Sequence, residues 1–171
     1  TKELAKGLAA IMKNVCVNIW PPALEISGLP GALVELVARF RSRVKIKTSQ
    51  SISLPDDGKT ADNPMEIIIY RLVQEALNNA AKHSRAKKLK LNINHDAGKV
   101  TLSISDNGCG FDAASPRLKK SSLGLKIMRE DAESVGGSLV IDSHPGRGTV
   151  IRAEFPRRSA PGPKQQLSNA S

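Results

Sequence analysis

Aromatic residues are scarce: one Trp, one Tyr and three Phe among 171 residues. That removes most of the stacking surface on which sequence-tolerant single-strand nucleic-acid binding depends, and no nucleic-acid-binding motif is present. Cysteine is scarce as well. Cys16 and Cys109 allow at most one disulfide, and neither stands in metal-ligand spacing with His83, His95 or His144. Reduced thiols in a cytoplasmic compartment are the expectation. No apolar run approaches the roughly 20 residues of a membrane span. Residues 1–19 mix charged and apolar positions where a signal peptide would need an apolar stretch. Acidic residues are outnumbered, 16 against 26 Lys and Arg, for a net charge of +10. Such an excess favours an anionic partner: nucleic acid, acidic membrane surface, nucleotide or acidic protein. With the aromatics so few, the nucleic-acid option is the weakest.

What is present suits one soluble globular domain with a helical appendage: 40% hydrophobic residues, 25% charged, and length enough to bury a core. There is no internal repeat. Residues 3–19 carry Leu4, Leu8, Ile11, Val15 and Ile19 at helical spacing, ended by Trp20-Pro21-Pro22. Gly28 and Pro30 break the chain again before a short amphipathic helix over Ala32–Phe40. Alternation at Val44, Ile46 and Thr48 predicts a strand, after which residues 49–62 read as a polar loop with a short extended piece at Ile52 and Leu54. Asn63-Pro64, with Glu66 in the first turn, is a helix start; the helix it opens should reach about Ser84. Two alternating strands follow, Leu89, Leu91, Ile93 and then Val100, Leu102, Ile104, joined by a turn at Gly98. Residues 112–122 read as a loop and Leu123 to about Val135 as a helix stopped by Gly136-Gly137. A strand at Leu139 and Ile141, a turn at Pro145–Gly148, and a last strand with Thr149, Ile151, Ala153 and Phe155 on one face complete the fold. Residues 158–171 read as a disordered tail.

Two features do not follow from packing. The helix from Pro64 turns Ile69, Leu72, Val73, Ala76, Leu77 and Ala80 to one face. Its other stripe carries Arg71, Glu75, Asn79 and Lys82, with Asn78 and His83 beside it. Paired Asn inside a helix compete for backbone hydrogen bonds and cost roughly half a kcal/mol each against Ala. Asp106 is sharper. The parity of its strand puts it on the apolar face, where a carboxylate is costly unless donors meet it. Asp106-Asn107-Gly108-Cys109-Gly110 then forms a turn whose glycines allow close backbone approach to a ligand.

E-x-x-x-N-x-x-K-H on a helix, D-x-G-x-G after a strand, and Leu-Gly-Leu opening a helix before G-x-G-T occur in that order. The set resembles the ATP-binding fold shared by sensor histidine kinases, gyrase B, heat-shock chaperone ATPases and mismatch-repair ATPases. Residues 65–90 and the upstream segment Trp20–Leu29 resemble sensor histidine kinases of the nitrate-sensor and desaturase-sensor type, and the similarity covers residues 1 to about 156. It implies an α+β two-layer sandwich of the Bergerat type, with a mixed, mostly antiparallel sheet covered on one face by helices. It also implies a division into residues 1–43, the end of a dimerisation and linker segment, 44–157, the catalytic domain, and the tail.

The resemblance assigns roles as well. Asn79 would ligate Mg²⁺ and Glu75 would order the metal or a water, the two forming the catalytic pair. Lys82 and His83 would donate to phosphates. Asp106 would accept from the adenine amino group, with Thr149 and a bridging water; Gly108 and Gly110 would pass close to the base. Gly124 and the amides of Leu125 and Lys126 would cradle phosphates at a helix N-terminus, and residues 112–122 would be the lid. The partners implied are ATP, a phosphoacceptor dimerisation domain and a response regulator, with no nucleic acid, a homodimeric cytoplasmic parent and a monomeric fragment.

The family usually has Arg at Trp20 and often Gly near Ser121 or Ser122. No His fits the phosphoacceptor position, so the acceptor helix is expected outside this sequence, which begins at Thr1 without Met. A serine kinase of the anti-sigma-factor type shares the fold, though the Trp20–Leu29 segment argues against it. A non-enzymatic basic adaptor would leave Asp106 and the Asn pair without a cause.

Overall fold

In the computed structural model the residues described are 21–55, 63–96, 98–112 and 123–156. The expected helix over 3–19, Trp20, Ser121, Ser122, the tail and the lid beyond Asp112 lie outside them.

Alternation of apolar and polar side chains builds one five-stranded sheet from β1 (Lys47–Ser53), β2 (Lys88–Asp96), β3 (Lys99–Asp106), β4 (Ser138–Ser143) and β5 (Thr149–Pro156). The strand order is β1-β2-β3-β5-β4. Only β1 and β2 pair in parallel; the other three pairings are antiparallel. Leu89, Leu91, Ile93, Val100, Leu102, Ile104, Ile151, Ala153 and Phe155 are all buried, which fixes the register because a slip of one residue would turn each of them outward.

Among the described residues, helices cover that face alone: α1 (Pro22–Arg43), α2 (Pro64–Asn79) and α3 (Leu123–Ser134). The two-layer α+β sandwich is as expected. In α2, Asn63 caps the N-terminus, its Oδ1 accepting from the Met65 amide at 3.1 Å, and Pro64 opens the first turn. Met65, Ile69, Leu72, Val73, Ala76 and Leu77 are buried. At about 1.5–3 kcal/mol per large buried side chain, that stripe outweighs the cost of two Asn by several fold, so the helix tolerates them. Among the described residues, no helix is long and apolar enough to cross a membrane.

Three local expectations change. The stretch after Trp20-Pro21-Pro22 is helical from Pro22, which fits a first helical position; the break expected at Gly28 is there, since Gly28 leaves the helical region at φ 61° and ψ −179°, and the limb beyond it is the helix expected over 32–40, reaching Arg43. The strand at 44–48 runs instead from Lys47 to Ser53, because parallel pairing with β2 supplies hydrogen bonds that a Ser-rich edge does not advertise. The last turn of the long helix, Ala80–Ser84, is a π-turn. Leu24, Leu29, Ala32, Leu33, Val37 and Phe40 of α1 share one core with α2 and the sheet.

Candidate functional site

The end of α2 and the turn after β3 are laced together. Ser84 Oγ donates to the Ala80 carbonyl at 2.7 Å and accepts from the Ala86 amide at 3.0 Å, closing the π-turn, while Arg85 takes a left-handed φ of 53°. The freed Ser84 carbonyl accepts from the Cys109 amide at 2.7 Å, and Cys109 Sγ donates to the His83 carbonyl at 3.3 Å. This contact requires Gly108, since a Cβ there would stand 2.1 Å from the Ser84 oxygen. Gly110, at φ 56°, lies as close to the His144 carbonyl on the β4–β5 turn. The close approach these glycines permit is thus to protein backbone, and Gly108 does not itself line the cavity described next.

A cavity of about 670 Å³ opens between the sheet and the end of α2. Leu89, Ile104 and Ile151 give it an apolar floor, with Asp106 and Thr149 at the floor's edge. Glu75, Asn78, Asn79, Lys82 and His83 line the α2 side, and Leu123, Gly124 and Leu125 close it from α3. Gly124 meets Glu75: an added Cβ would lie 2.7 Å from Glu75 Oε1. Nine of the eleven expected residues therefore border one space. Lys126 does not; its ammonium pairs with Glu130 at 3.4 Å on the exposed side of α3. Arg71, higher on the α2 stripe, faces Asp131 of α3 instead. Burial lowers the Arg71 pKa and raises that of Asp131, and the attraction between them opposes both shifts.

Asp106 pairs across the sheet with Leu89 and Thr149, so its side chain does stand on the helix-covered face. Burial pushes its pKa above the ordinary carboxylate value, opposed by the backbone amides of Gly108 (2.7 Å to Oδ1) and Thr149. An apolar floor with one such acceptor at its edge is the chemistry that recognises a flat heterocycle carrying an amino group. Among the described residues no cluster of three His, Cys, Asp or Glu could hold a metal. Asn79 and Glu75 offer hard oxygen donors on the same wall, which fits a cation that takes its remaining ligands from phosphates and water.

Sequence reasoning passed over two residues that set this geometry. Ser143, only 3% exposed, accepts from the Phe111 amide at 3.0 Å, donates to the Gly148 carbonyl at 3.0 Å and lies 2.9 Å from Thr149 Oγ1. With its own proton directed to the Gly148 carbonyl, Ser143 accepts from the Thr149 hydroxyl, which leaves Thr149 its lone pairs as acceptors. Asn107 Oδ1 accepts from the amides of both Lys87 and Lys88, at 2.9 and 2.8 Å, anchoring the turn to the start of β2. Polar residues flanking a motif, Ser143 at a strand end and Asn107 inside D-N-G, were the available signal.

A family model described as histidine kinase-, DNA gyrase B- and HSP90-like ATPase matches residues 65–159, more than half of the chain. The chain belongs to this ATPase family. The match runs from α2 through β5, the elements that build the cavity. Curated relatives include the oxygen sensor histidine kinase NreB of Staphylococcus carnosus, 31% identical over 145 residues, covering 85% of this chain and 41% of the relative. The sensor histidine kinase MctS of Rhizobium johnstonii is 32% identical over 170 residues, covering 99% and 36%. The chain thus spans about two fifths of the length of these ATPase-family relatives. Among solved structures, the blue-light activated histidine kinase of Erythrobacter litoralis superposes with a TM-score of 0.62 at 21% identity, over 75% of this chain and 41% of that one. That likeness carries the ATPase-family fold.

Proposed function

We propose that this ATPase-family domain binds Mg-ATP and is the catalytic half of a sensor histidine kinase, transferring the γ-phosphoryl group to a His on a dimerisation helix outside the described residues. A response regulator would receive it next. The observation that carries the reading is Asp106, a half-buried carboxylate at the edge of an apolar floor, with a polar wall of Asn79, Lys82 and His83 in the same cavity. The curated relatives, named as sensor histidine kinases, support the same conclusion.

In this mechanism the chain's own groups bind and orient. Asp106 accepts from the adenine amino group, and Thr149, its proton engaged by Ser143, accepts from a bridging water. Leu89, Ile104 and Ile151 hold the ring by its faces. Lys82 and His83 donate to phosphate oxygens, and Gly124 with the amides of Leu125 and Lys126 presents the N-terminal end of α3 to the same charge. Asn79, oriented with Glu75, would hold Mg²⁺, which supplies charge neutralisation to the triphosphate. Phosphoryl transfer needs little covalent chemistry from the protein beyond this placement. Glu75 is assigned to ordering the metal or a water, not to general-base hydrolysis.

The active unit comprises residues 44–157, with α1 packed on its core and leading to the dimerisation helices, in a homodimeric parent acting in the cytoplasm where ATP is available. The isolated chain is then a monomer that binds Mg-ATP and does not phosphorylate itself. The test is calorimetric titration with Mg-ATP, then incubation with the two dimerisation helices of the parent supplied separately. Saturable binding and an acid-labile, alkali-stable phosphoryl group on the added helices are expected. Phosphate on serine of a protein partner would move the assignment to the serine-kinase reading, and absence of nucleotide binding would overturn both.

A further inference from the structure

Two stretches of the sequence contain no carboxylate, residues 36–55 and 76–95. The first carries Arg39, Arg41, Arg43, Lys45 and Lys47, the second Lys82, Arg85, Lys87, Lys88 and Lys90. Parallel pairing of β1 with β2 brings them together, with Lys47 directly beside Lys88 and Ser49 beside Lys90. The Lys47 amide donates to the Lys87 carbonyl at 3.0 Å, and Arg41 reaches over to the Thr48 carbonyl at 2.9 Å. The strand ends therefore collect cations at one corner of the sheet.

The parity that buries Leu89 and Leu91 turns Lys88 and Lys90 to the opposite face, which no helix among the described residues covers. There a second cavity, about 470 Å³, is bordered by Lys47, Ser49, Lys88, Lys90, Ser105 and Asn107. Thr48, Leu89 and Asp106 border it too, but they pair in register with one another and their side chains stand on the other face, so here they contribute backbone. None of the three lysines makes an ion pair among the described residues. Asn107 is oriented by its own bonds: with Oδ1 accepting from two amides, its NH₂ is left as the free donor. The side chains around this cavity are thus three ammonium groups, two hydroxyls and one amide NH₂, and none is an anion. Neighbouring strands are about 4.8 Å apart and alternate residues about 6.6 Å apart, so flexible stems rooted at Lys47, Lys88 and Lys90 can converge on one group carrying two or more negative charges.

We propose that this cavity is a second anion site, taking a phosphate-bearing ligand on the face of the sheet opposite the nucleotide cavity. It is independent of the ATP reading, since it shares with that cavity only Leu89 and Asp106, whose side chains stand on the nucleotide face. The ligand chemistry is a phosphate di- or polyanion, whether soluble or presented as a lipid headgroup.

The experiment is a two-dimensional amide NMR titration of the full chain with sodium pyrophosphate, against sodium chloride at matched ionic strength. A parallel sedimentation assay uses phosphatidylglycerol vesicles and phosphatidylcholine vesicles. Both are repeated on Lys88→Gln/Lys90→Gln, with Mg-ATP binding as the control for folding. Saturable shifts at the amides of Ser49, Lys88, Ser105 and Asn107, weakened at least about 10-fold in the double variant while Mg-ATP binding is kept, identify a soluble phosphate ligand. Sedimentation with phosphatidylglycerol alone, lost in the double variant, identifies a headgroup. Shifts that never saturate or match those in chloride, or saturation confined to Asn79, Lys82 and Gly124, together with vesicle binding indifferent to the variant, would overturn the proposal.

Discussion

Replacing Gly108 by Ala tests how the two halves of the nucleotide site are joined. The added methyl would stand 2.1 Å from the Ser84 carbonyl oxygen and 2.7 Å from Asp106 Oδ1. Carbon and oxygen tolerate about 3.3 Å, so the turn must retreat from the end of α2 by roughly 1 Å. Two hydrogen bonds, both 2.7 Å long, stand in the way: Cys109 amide to Ser84 carbonyl, and Gly108 amide to Asp106. Losing the first costs about 1 kcal/mol and the second, to a charged acceptor, about 1.5–3 kcal/mol. Together that is about 2.5–4 kcal/mol. For a domain of this size each kcal/mol moves the melting midpoint by about 3 °C, so thermal unfolding followed by circular dichroism should show a fall of about 10 °C. Mg-ATP affinity should fall with it, because the displaced turn carries Asp106. A melting midpoint within about 2 °C of wild type, with unaltered nucleotide affinity, would refute the joint.

Ser143→Ala removes three partners from a buried position and leaves the Phe111 amide without an acceptor; a destabilisation of about 1–3 kcal/mol in urea unfolding is expected. Asn79→Ala should weaken Mg-ATP more than metal-free ATP, read by titrations with and without a chelator; equal losses would argue against metal ligation. Nucleotide affinity should fall on acidification at a pH above that of an ordinary aspartate, because burial raises the Asp106 pKa and only the ionised form accepts from the adenine amino group and the turn together. Stability of the ligand-free protein runs the other way. A folded pKa above the unfolded one favours the native state at low pH, and that advantage is lost as pH rises from the ordinary aspartate value through the raised one.

The strongly alternating strands and the helix over α2 were legible because both faces are chemically distinct. Leu89–Ile93 and Val100–Ile104 have apolar residues on every second position, and Asp106 broke that rule visibly. β1 was placed three residues early because Lys47–Ser53 is an edge strand held by its partner's backbone, with only Ile52 as a strongly apolar residue. The break at Gly28 was legible, and what was hidden is the helical limb before it, because Pro21-Pro22 reads as a stop although Pro22 fits a first helical position. The cavity residues on α2 were readable from spacing, since residues one turn apart share a stripe. Lys126 was expected through its backbone amide, which the pairing of its ammonium with Glu130 leaves untouched. Asn107 and Ser143 act through backbone groups far away in sequence, a contact that no local pattern encodes.

The most direct measurement is calorimetric Mg-ATP binding by Asp106→Asn, paired with the melting midpoint of the ligand-free variant. The amide oxygen can still accept from Gly108, but its NH₂ then meets the adenine amino group donor to donor. Loss of a charge-assisted bond worth about 1.5–3 kcal/mol corresponds to affinity lowered about 10- to 100-fold, with a midpoint equal to or above wild type because the buried charge is gone. Wild-type affinity in a folded Asp106→Asn variant would contradict the assignment of this cavity to adenine.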